Sequence, residues 1–309
     1  MKFDGKAAIV TGGARGIGFA IAEAIAREGA KVVIMDPGSA KDGGAGANFN
    51  AAEEAANKIK SQGGTAIVAA ESVTDHEACR RAVELCVKSF GTVDVLVNNA
   101  GVLRPKMIWN MTEEDWDIVV DIHLKGQYNM IHHVSKIMRE KRWGRIINMS
   151  SEAWRGTVGG ANYGSAKGGV FSLTRAMARE LGKYGVTVNT MCPAAATRLT
   201  VDESVKEGFK KRLEAGLITI ERYNQVVHMG GPEHVAPFAC YLISDQAAHI
   251  NGQAFRVEEG RVAIYNDPEI KYSLMKSDKG VFSFDELVKM VPQALLAGYV
   301  NPAPAENKE

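Results

Sequence analysis

Ala7-Ala8-Ile9-Val10-Thr11-Gly12-Gly13-Ala14-Arg15-Gly16-Ile17-Gly18 is the stretch on which the reading of this chain turns. Four apolar residues, too few for a helix, run straight into a glycine-rich turn. From Gly18 to residue 28 apolar positions recur at helical spacing, and a second apolar run follows at 31–35. The order is strand, glycine turn, helix, strand. Such a turn lets the backbone approach a pyrophosphate closely, and the helix N-terminus offers it unpaired N–H groups and a partial positive charge. A tight turn without a ligand also uses glycine, but the strand before and the helix after favour the nucleotide reading. Gly12, Arg15, Gly16, Ile17 and Gly18 are therefore candidate cofactor contacts.

Outward from this unit, short apolar runs recur at 66–70, 93–97, 145–149 and 186–191, each separated from the next by enough chain for a helix. A seventh, 253–257, follows a helical stretch at 235–243. Strands alternating with helices imply parallel pairing and right-handed crossovers, hence an α/β fold with a doubly wound, Rossmann-type parallel sheet. The expected organisation is a single domain, 1–261, with a C-terminal extension, 262–309, that holds one amphipathic helix at 284–296. Residues 37–48 read as a surface loop. An insertion at about 199–231 suits a lid over a site, or a plain surface subdomain.

The 309 residues are 46% hydrophobic and 24% charged, the balance of a folded domain. A formal charge of +1 provides no field for a polyanion, so nucleic acid is not expected as a partner. Cys79, Cys86, Cys192 and Cys240 are scattered without a C-x-x-C pair, which fits reduced thiols rather than disulfides or zinc. No signal-peptide core and no run of 18 apolar residues occurs, so no membrane partner is expected and a cytoplasmic location is. A metal hydrolase finds no support. His132 and His133 are adjacent, diverge on a helix and read as surface histidines, so no metal site is expected.

Asp36 ends the second strand, 20 residues beyond Gly16, where a carboxylate accepts hydrogen bonds from ribose hydroxyls and repels a 2'-phosphate. Arg15 pulls the other way, because a guanidinium pairs with that phosphate. A fixed carboxylate outweighs a flexible exposed Arg, so NAD is the expected cofactor. Tyr163 and Lys167 stand four apart at the start of a helix and share a face. An ammonium near a phenol lowers its pKa from about 10 toward neutrality, which makes the tyrosine a usable acid or base. Alone, such a pair is usually a solvated face. Ser150 and Ser151 end the fifth strand, where a hydroxyl orients a substrate carbonyl or merely caps a turn. Asn98-Asn99-Ala100-Gly101 follows the fourth strand at the edge where ligands bind.

Taken together, these motifs resemble the short-chain dehydrogenase/reductase family over residues 4–261, in family order and approximate spacing. The resemblance implies catalytic Ser151, Tyr163 and Lys167. It places Asp36, Ser72 and Val73 around the adenosine, Asn99, Ala100 and Gly101 along the cofactor cleft, and Pro193 to Ala196 at the nicotinamide amide. Lys167 would bind the nicotinamide ribose. Within the family the chain is most similar to the dehydrogenase part of the multifunctional enzyme type 2 and its bacterial steroid-catabolic relatives, through Asp36-Pro37-Gly38, Asn99 to Arg104, 113–126 and 193–200. His123 stands where many members carry a relay Asn, as it does in the type 2 enzymes. The loop before Tyr163 is one residue short, which brings Ser150 into competition with Ser151; strand position favours Ser151.

The expected activity is hydride transfer between a secondary alcohol or ketone and NAD. Resemblance suggests a 3-hydroxyacyl-CoA, whose phosphates Arg104, Lys106, Arg155 and Lys210-Lys211-Arg212 would meet. The alternatives are a hydroxysteroid or cyclic alcohol held by Trp109, Met149 and Trp154, and, from another class, a redox-silent nucleotide sensor. A homodimer or homotetramer is expected from the family, through the helices holding 115–133 and 163–181.

Overall fold

The structure is a computed structural model that describes residues 2–40, 42–44, 50–197, 200–201, 203–216, 218–277 and 280–302. Part of the expected 37–48 loop, Arg198 and Leu199 of the 193–200 motif, and the chain beyond 302 lie outside the described residues. Contacts divide the chain into two compact units, Met1–Tyr265 and Asn266–Glu309.

The first unit is built on one sheet of strands β1 (Ala7–Thr11), β2 (Lys31–Met35), β3 (Thr65–Ala69), β4 (Val95–Asn98), β5 (Gly144–Met149), β6 (Val186–Pro193), β7 (Ala254–Glu258) and β8 (Arg261–Ile264). Their order is β3-β2-β1-β4-β5-β6-β7-β8. Every neighbouring pair is parallel except β7 and β8. Because the order reverses between β1 and β4, the chain leaves the carboxyl ends of these two strands in opposite directions and opens a crevice there.

Helices α1 (Gly16–Arg27), α2 (Ala51–Ser61), α3 (His76–Phe90), α4 (Glu113–Val120), α5 (Gly126–Lys141), α6 (Ala161–Leu181), α7 (Glu203–Glu214), α8 (Ile220–Val227) and α9 (Ala236–Ile243) follow in chain order. All five β1 residues are buried, since both sheet faces are covered. Alternate residues serve opposite cores. Ala8 and Val10 pack with Ile21 and Ile25 of α1 and Leu242 of α9, while Ala7 and Ile9 pack with Cys79 of α3, Met130 of α5 and Leu181 of α6.

Two features depart from the sequence reading. β8 continues the sheet past residue 261: Gly260, at φ 65°, turns the chain so that Val257 opposes Val262, and Tyr265 N–H donates to Ala254 O at 2.9 Å. Between α4 and α5 the helix widens into a π-helical turn, Asp121–Lys125, that directs His123 inward.

In the second unit, helix α10 (Phe284–Ala294) starts at a capping box between Ser283 and Glu286 and buries none of its residues. No helix among the described residues is long and apolar enough to cross a membrane.

Candidate active site

After Thr11 the chain passes through Gly12 and Gly16, at φ 61° and 55°, conformations that favour glycine. Gly12 N–H donates to Met35 O at 2.8 Å, so the turn lies against the end of β2. There the two carboxylate oxygens of Asp36 accept from Gly38 N–H at 2.8 Å and Ala14 N–H at 3.2 Å, which fixes the acid beside the turn. On the β4 side the Thr11 hydroxyl oxygen accepts from the N–H groups of Asn99 and Ala100 at 3.0 and 3.1 Å. Asn99 Nδ2 donates to Thr11 O at 3.1 Å and Gly12 O at 3.0 Å. The glycine turn and the Asn99-Ala100-Gly101 segment are thus one hydrogen-bonded wall.

These elements line an open cleft. Gly12, Arg15, Gly16, Ile17 and Asp36 line one side, and Ser72, Val73, Asn99, Ala100 and Gly101 the other. Gly18 packs beneath the turn, where a Cβ would meet Gly12 O at 2.2 Å. A Cβ on Gly12 would lie 2.8 Å from Ala100 Cα. A cradle kept open by missing side chains, next to a helix N-terminus, fits a dinucleotide pyrophosphate. Pro193 and Ala196 do not line this cleft. Pro193 closes β6, and Ala196 N–H donates to Gly230 O at 2.8 Å. Thr197 does line it, 3.4 Å from the position of a Gly16 Cβ. The sequence reading stopped one residue short of it.

Tyr163 and Lys167 share a face at the start of α6, with Lys167 Nζ 5.5 Å from the phenol ring centroid. The Ser151 hydroxyl lies near enough to the Tyr163 phenol to lower its pKa. Ser150 faces away, its hydroxyl donating to Lys167 O at 2.8 Å. Burial raises the Tyr163 phenol, and the Ser151 hydroxyl draws it back down. Burial also pushes the Lys167 ammonium down to about 7 while it donates to Met149 O at 2.6 Å. At neutral pH the group is therefore poised to gain or lose a proton.

Asn162 escaped the sequence reading and is fully buried. Its Oδ1 accepts from Tyr163 N–H at 2.7 Å, and its Nδ2 donates to Arg104 O at 3.1 Å and Asp115 O at 2.8 Å. It ties the start of α6 to α4 and to the loop after β4. An amide at a helix start was the only available signal. His123 lies edge-on to Tyr163, ring centroids 5.0 Å apart, with Nε2 2.8 Å from Val102 O. Burial, reinforced by the nearby Lys167 charge, holds its pKa far below the usual imidazole range, so it is neutral. A Cβ on Gly101 would lie 2.4 Å from His123 Cε1, which explains the glycine there.

Other expectations need correcting. Arg104 and Lys106, nominated for phosphates, both pair with Asp115, at 3.6 and 2.6 Å, and Arg104 also with Glu114 at 2.9 Å. Trp109 is 73% exposed, whereas Met149 is buried. His133 is buried as well: α5 packs it onto α3, where its Nε2 lies 3.0 Å from His76 O and its ring 4.3 Å from that of His76. Among the described residues no group of three or more His, Cys, Asp or Glu is placed to hold a metal ion.

The sequence profile of the short chain dehydrogenase family matches residues 6–207, the span that builds the cleft and holds Ser151, Tyr163 and Lys167. The chain belongs to the short-chain dehydrogenase/reductase family. It is similar to the hydroxyacyl-CoA dehydrogenase ChsB1 of Mycobacterium tuberculosis, 35% identical over 86% of this chain and 81% of that protein. The peroxisomal multifunctional enzyme A of Dictyostelium discoideum is 37% identical over 85% of this chain but only 55% of its own length. The 3-oxoacyl-[acyl-carrier-protein] reductase FabG of Escherichia coli is 33% identical over 84% of this chain and 98% of its own. A short chain dehydrogenase from Mycobacterium avium, known from its crystal structure, covers all of both chains with a TM-score of 0.80 and 34% identity. As a short-chain dehydrogenase/reductase the protein is an oxidoreductase of the alcohol/ketone class that uses a nicotinamide dinucleotide, and not a redox-silent sensor.

Proposed function

We propose that this short-chain dehydrogenase/reductase interconverts a 3-hydroxyacyl-CoA and its 3-ketone with NAD. The observation that carries the reading is the cluster of half-buried Ser151 and Tyr163 with buried Lys167, beyond the end of β5 and on the far side of the Asn99-Ala100-Gly101 wall from the glycine turn. When bound, the nicotinamide supplies the hydride acceptor or donor. In oxidation Tyr163 takes the carbinol proton, and in reduction its hydroxyl returns it. Ser151 hydrogen-bonds the reacting oxygen and holds it against Tyr163 Oη. Lys167 favours the tyrosinate by its charge and binds the nicotinamide ribose hydroxyls. Gly12, Arg15, Gly16, Ile17 and Gly18 form the pyrophosphate cradle. Ser72, Val73 and the Asn99 to Gly101 segment flank the bound dinucleotide, and Pro193 and Ala196 approach its amide end.

Preference for NAD rests on Asp36, which two backbone N–H groups hold in place where a 2'-phosphate would have to sit. The thioester substrate rests on similarity to ChsB1 and the multifunctional enzyme. With Arg104 and Lys106 paired to Asp115 and Lys211 paired to Glu207, phosphate recognition falls to Lys210 and Arg212 on α7, within the expected lid at about 199–231. A second reading, a ring-bearing hydroxysteroid, is favoured by Trp154, Phe171 and Tyr265, whose rings gather 4.8 to 5.9 Å apart just past Ser151. The catalytic domain of this reading is the compact unit Met1–Tyr265, a few residues longer than the 1–261 expected from the sequence. Its homodimer or homotetramer forms through the helices carrying 115–133 and 163–181. Four free thiols suit a reducing cytoplasm.

Steady-state NADH formation with 3-hydroxybutyryl-CoA, free 3-hydroxybutyrate and a hydroxysteroid tests the substrate. The thioester is expected to exceed its acid at least tenfold in kcat/KM. Equal values for thioester and acid, or a faster steroid, would remove the CoA assignment.

A further inference from the structure

The Lys167 ammonium does not sit alone on its carbonyl. Met149 is the last residue of β5, and its O accepts from Lys167 Nζ at 2.6 Å and from Gln127 Nε2 at 3.1 Å. Gln127 is 3% exposed and lies in the first turn of α5, immediately after the π-helical turn. Its Nε2 donates to that carbonyl, while its Oε1 is buried with no hydrogen-bond partner among the described residues. Four residues earlier, His123 Nδ1 is also buried without a partner among the described residues. Burying an amide among strands and helices costs free energy unless its hydrogen bonds are made, so a half-satisfied glutamine here calls for a reason beyond packing.

Resting on the catalytic reading above, we propose that Gln127 is a positioning residue for Lys167. By donating to Met149 O it fixes the peptide plane on which the ammonium rests, and so fixes the distance from the ammonium to the Tyr163 phenol. Without this amide the lysine alone would orient the carbonyl, and the two would move together. The ionisable groups around Lys167 are Tyr163 on α6, His123 on the π turn and Cys192 on β6. The Cys192 thiol is pushed up to about 12 by burial, so Lys167 has no anionic thiolate near it at neutral pH.

Two substitutions read this out in the full-length protein, with Tyr163→Phe measured alongside. Gln127→Met keeps the volume and removes the donor; kcat for alcohol oxidation is expected to fall about tenfold, with the melting temperature within a few degrees of wild type. Gln127→Glu replaces the donor by a carboxylate that draws the ammonium away and raises the phenol pKa, moving the alkaline limb of the kcat profile up by about one unit. Retention of wild-type kcat within twofold and of the limb within 0.2 unit by both variants, with Tyr163→Phe inactive, would overturn the proposal. A kcat loss that only follows lost folded protein, with an unmoved limb, would overturn it too. An active Tyr163→Phe would instead strike at the catalytic reading itself.

Discussion

Replacing Gly18 by alanine places a methyl carbon 2.2 Å from Gly12 O, 2.4 Å from Asn99 Nδ2 and 3.0 Å from Gly12 C. Two of these atoms belong to backbone and the third to an amide that already spans Thr11 O and Gly12 O, so no flexible chain end is available to yield. Overpacking costs about 1 to 3 kcal/mol. Losing the two Asn99 hydrogen bonds costs about 1 kcal/mol each. Better helix propensity in α1 returns up to about 1 kcal/mol. The expected net loss is about 2 to 4 kcal/mol, or roughly 5 to 15 °C in Tm for a domain of this size. Because the displaced groups are the wall between the glycine turn and the Asn99 segment, dinucleotide affinity should fall at least tenfold as well. Circular dichroism melts and calorimetric NAD titration read the two effects. Gly208→Ala in α7 is the control: nothing lies within 4 Å of its added Cβ, and it should be neutral or slightly stabilising. A Gly18→Ala protein that melts within 2 °C of wild type and binds NAD within twofold would refute the packing argument.

The remaining expectations concern charge and the site hydroxyls. Asp36→Ser should raise kcat/KM for NADP relative to NAD by at least tenfold, measured by NAD(P)H absorbance; an unchanged ratio would mean that Asp36 does not set the preference. Ser151→Ala should lower kcat about a hundredfold, whereas Ser150→Ala should chiefly cost stability, about 1 kcal/mol for one buried hydrogen bond. Reversed effects would exchange the two serines. Lys167 has a native pKa of about 7 against 10.5 when exposed, so between these values the unfolded chain binds more protons than the native one. Its contribution to stability therefore rises with pH from about 7 to 10.5 and is least favourable below 7. Urea titrations of the ligand-free protein across this window should show a weaker rise in Lys167→Met than in wild type; identical slopes would mean that Lys167 keeps its proton throughout.

The strands and their parallel pairing were legible because a sheet covered on both faces demands short, largely apolar runs, and β1 through β7 alternate with helical stretches in that way. The Tyr163 and Lys167 pair was legible because helical periodicity alone puts both side chains on one face. What escaped depends on partners distant in sequence. Asp115 takes Arg104 and Lys106 out of play, and nothing in local composition announces an ion pair closed by folding. His133 looked like a surface residue until α5 was laid on α3. β8 is four residues with an exposed outer edge, too short for periodicity to distinguish it from the tail. The π turn that carries His123 inward has no composition of its own, and neither Asn162 nor Gln127 could be singled out before the carbonyls they bind were in place.

The central claim is that a phenol held by Ser151 and Lys167 moves the proton while the dinucleotide carries the electrons. Single-turnover NADH formation by wild type and Tyr163→Phe, with saturating NAD and 3-hydroxybutyryl-CoA from pH 6 to 10, tests it most directly. The account predicts a wild-type rate that rises through an alkaline limb, and a Tyr163→Phe rate at least a thousandfold lower with NAD affinity within threefold of wild type. A Tyr163→Phe rate within tenfold of wild type, following the same limb, would contradict it.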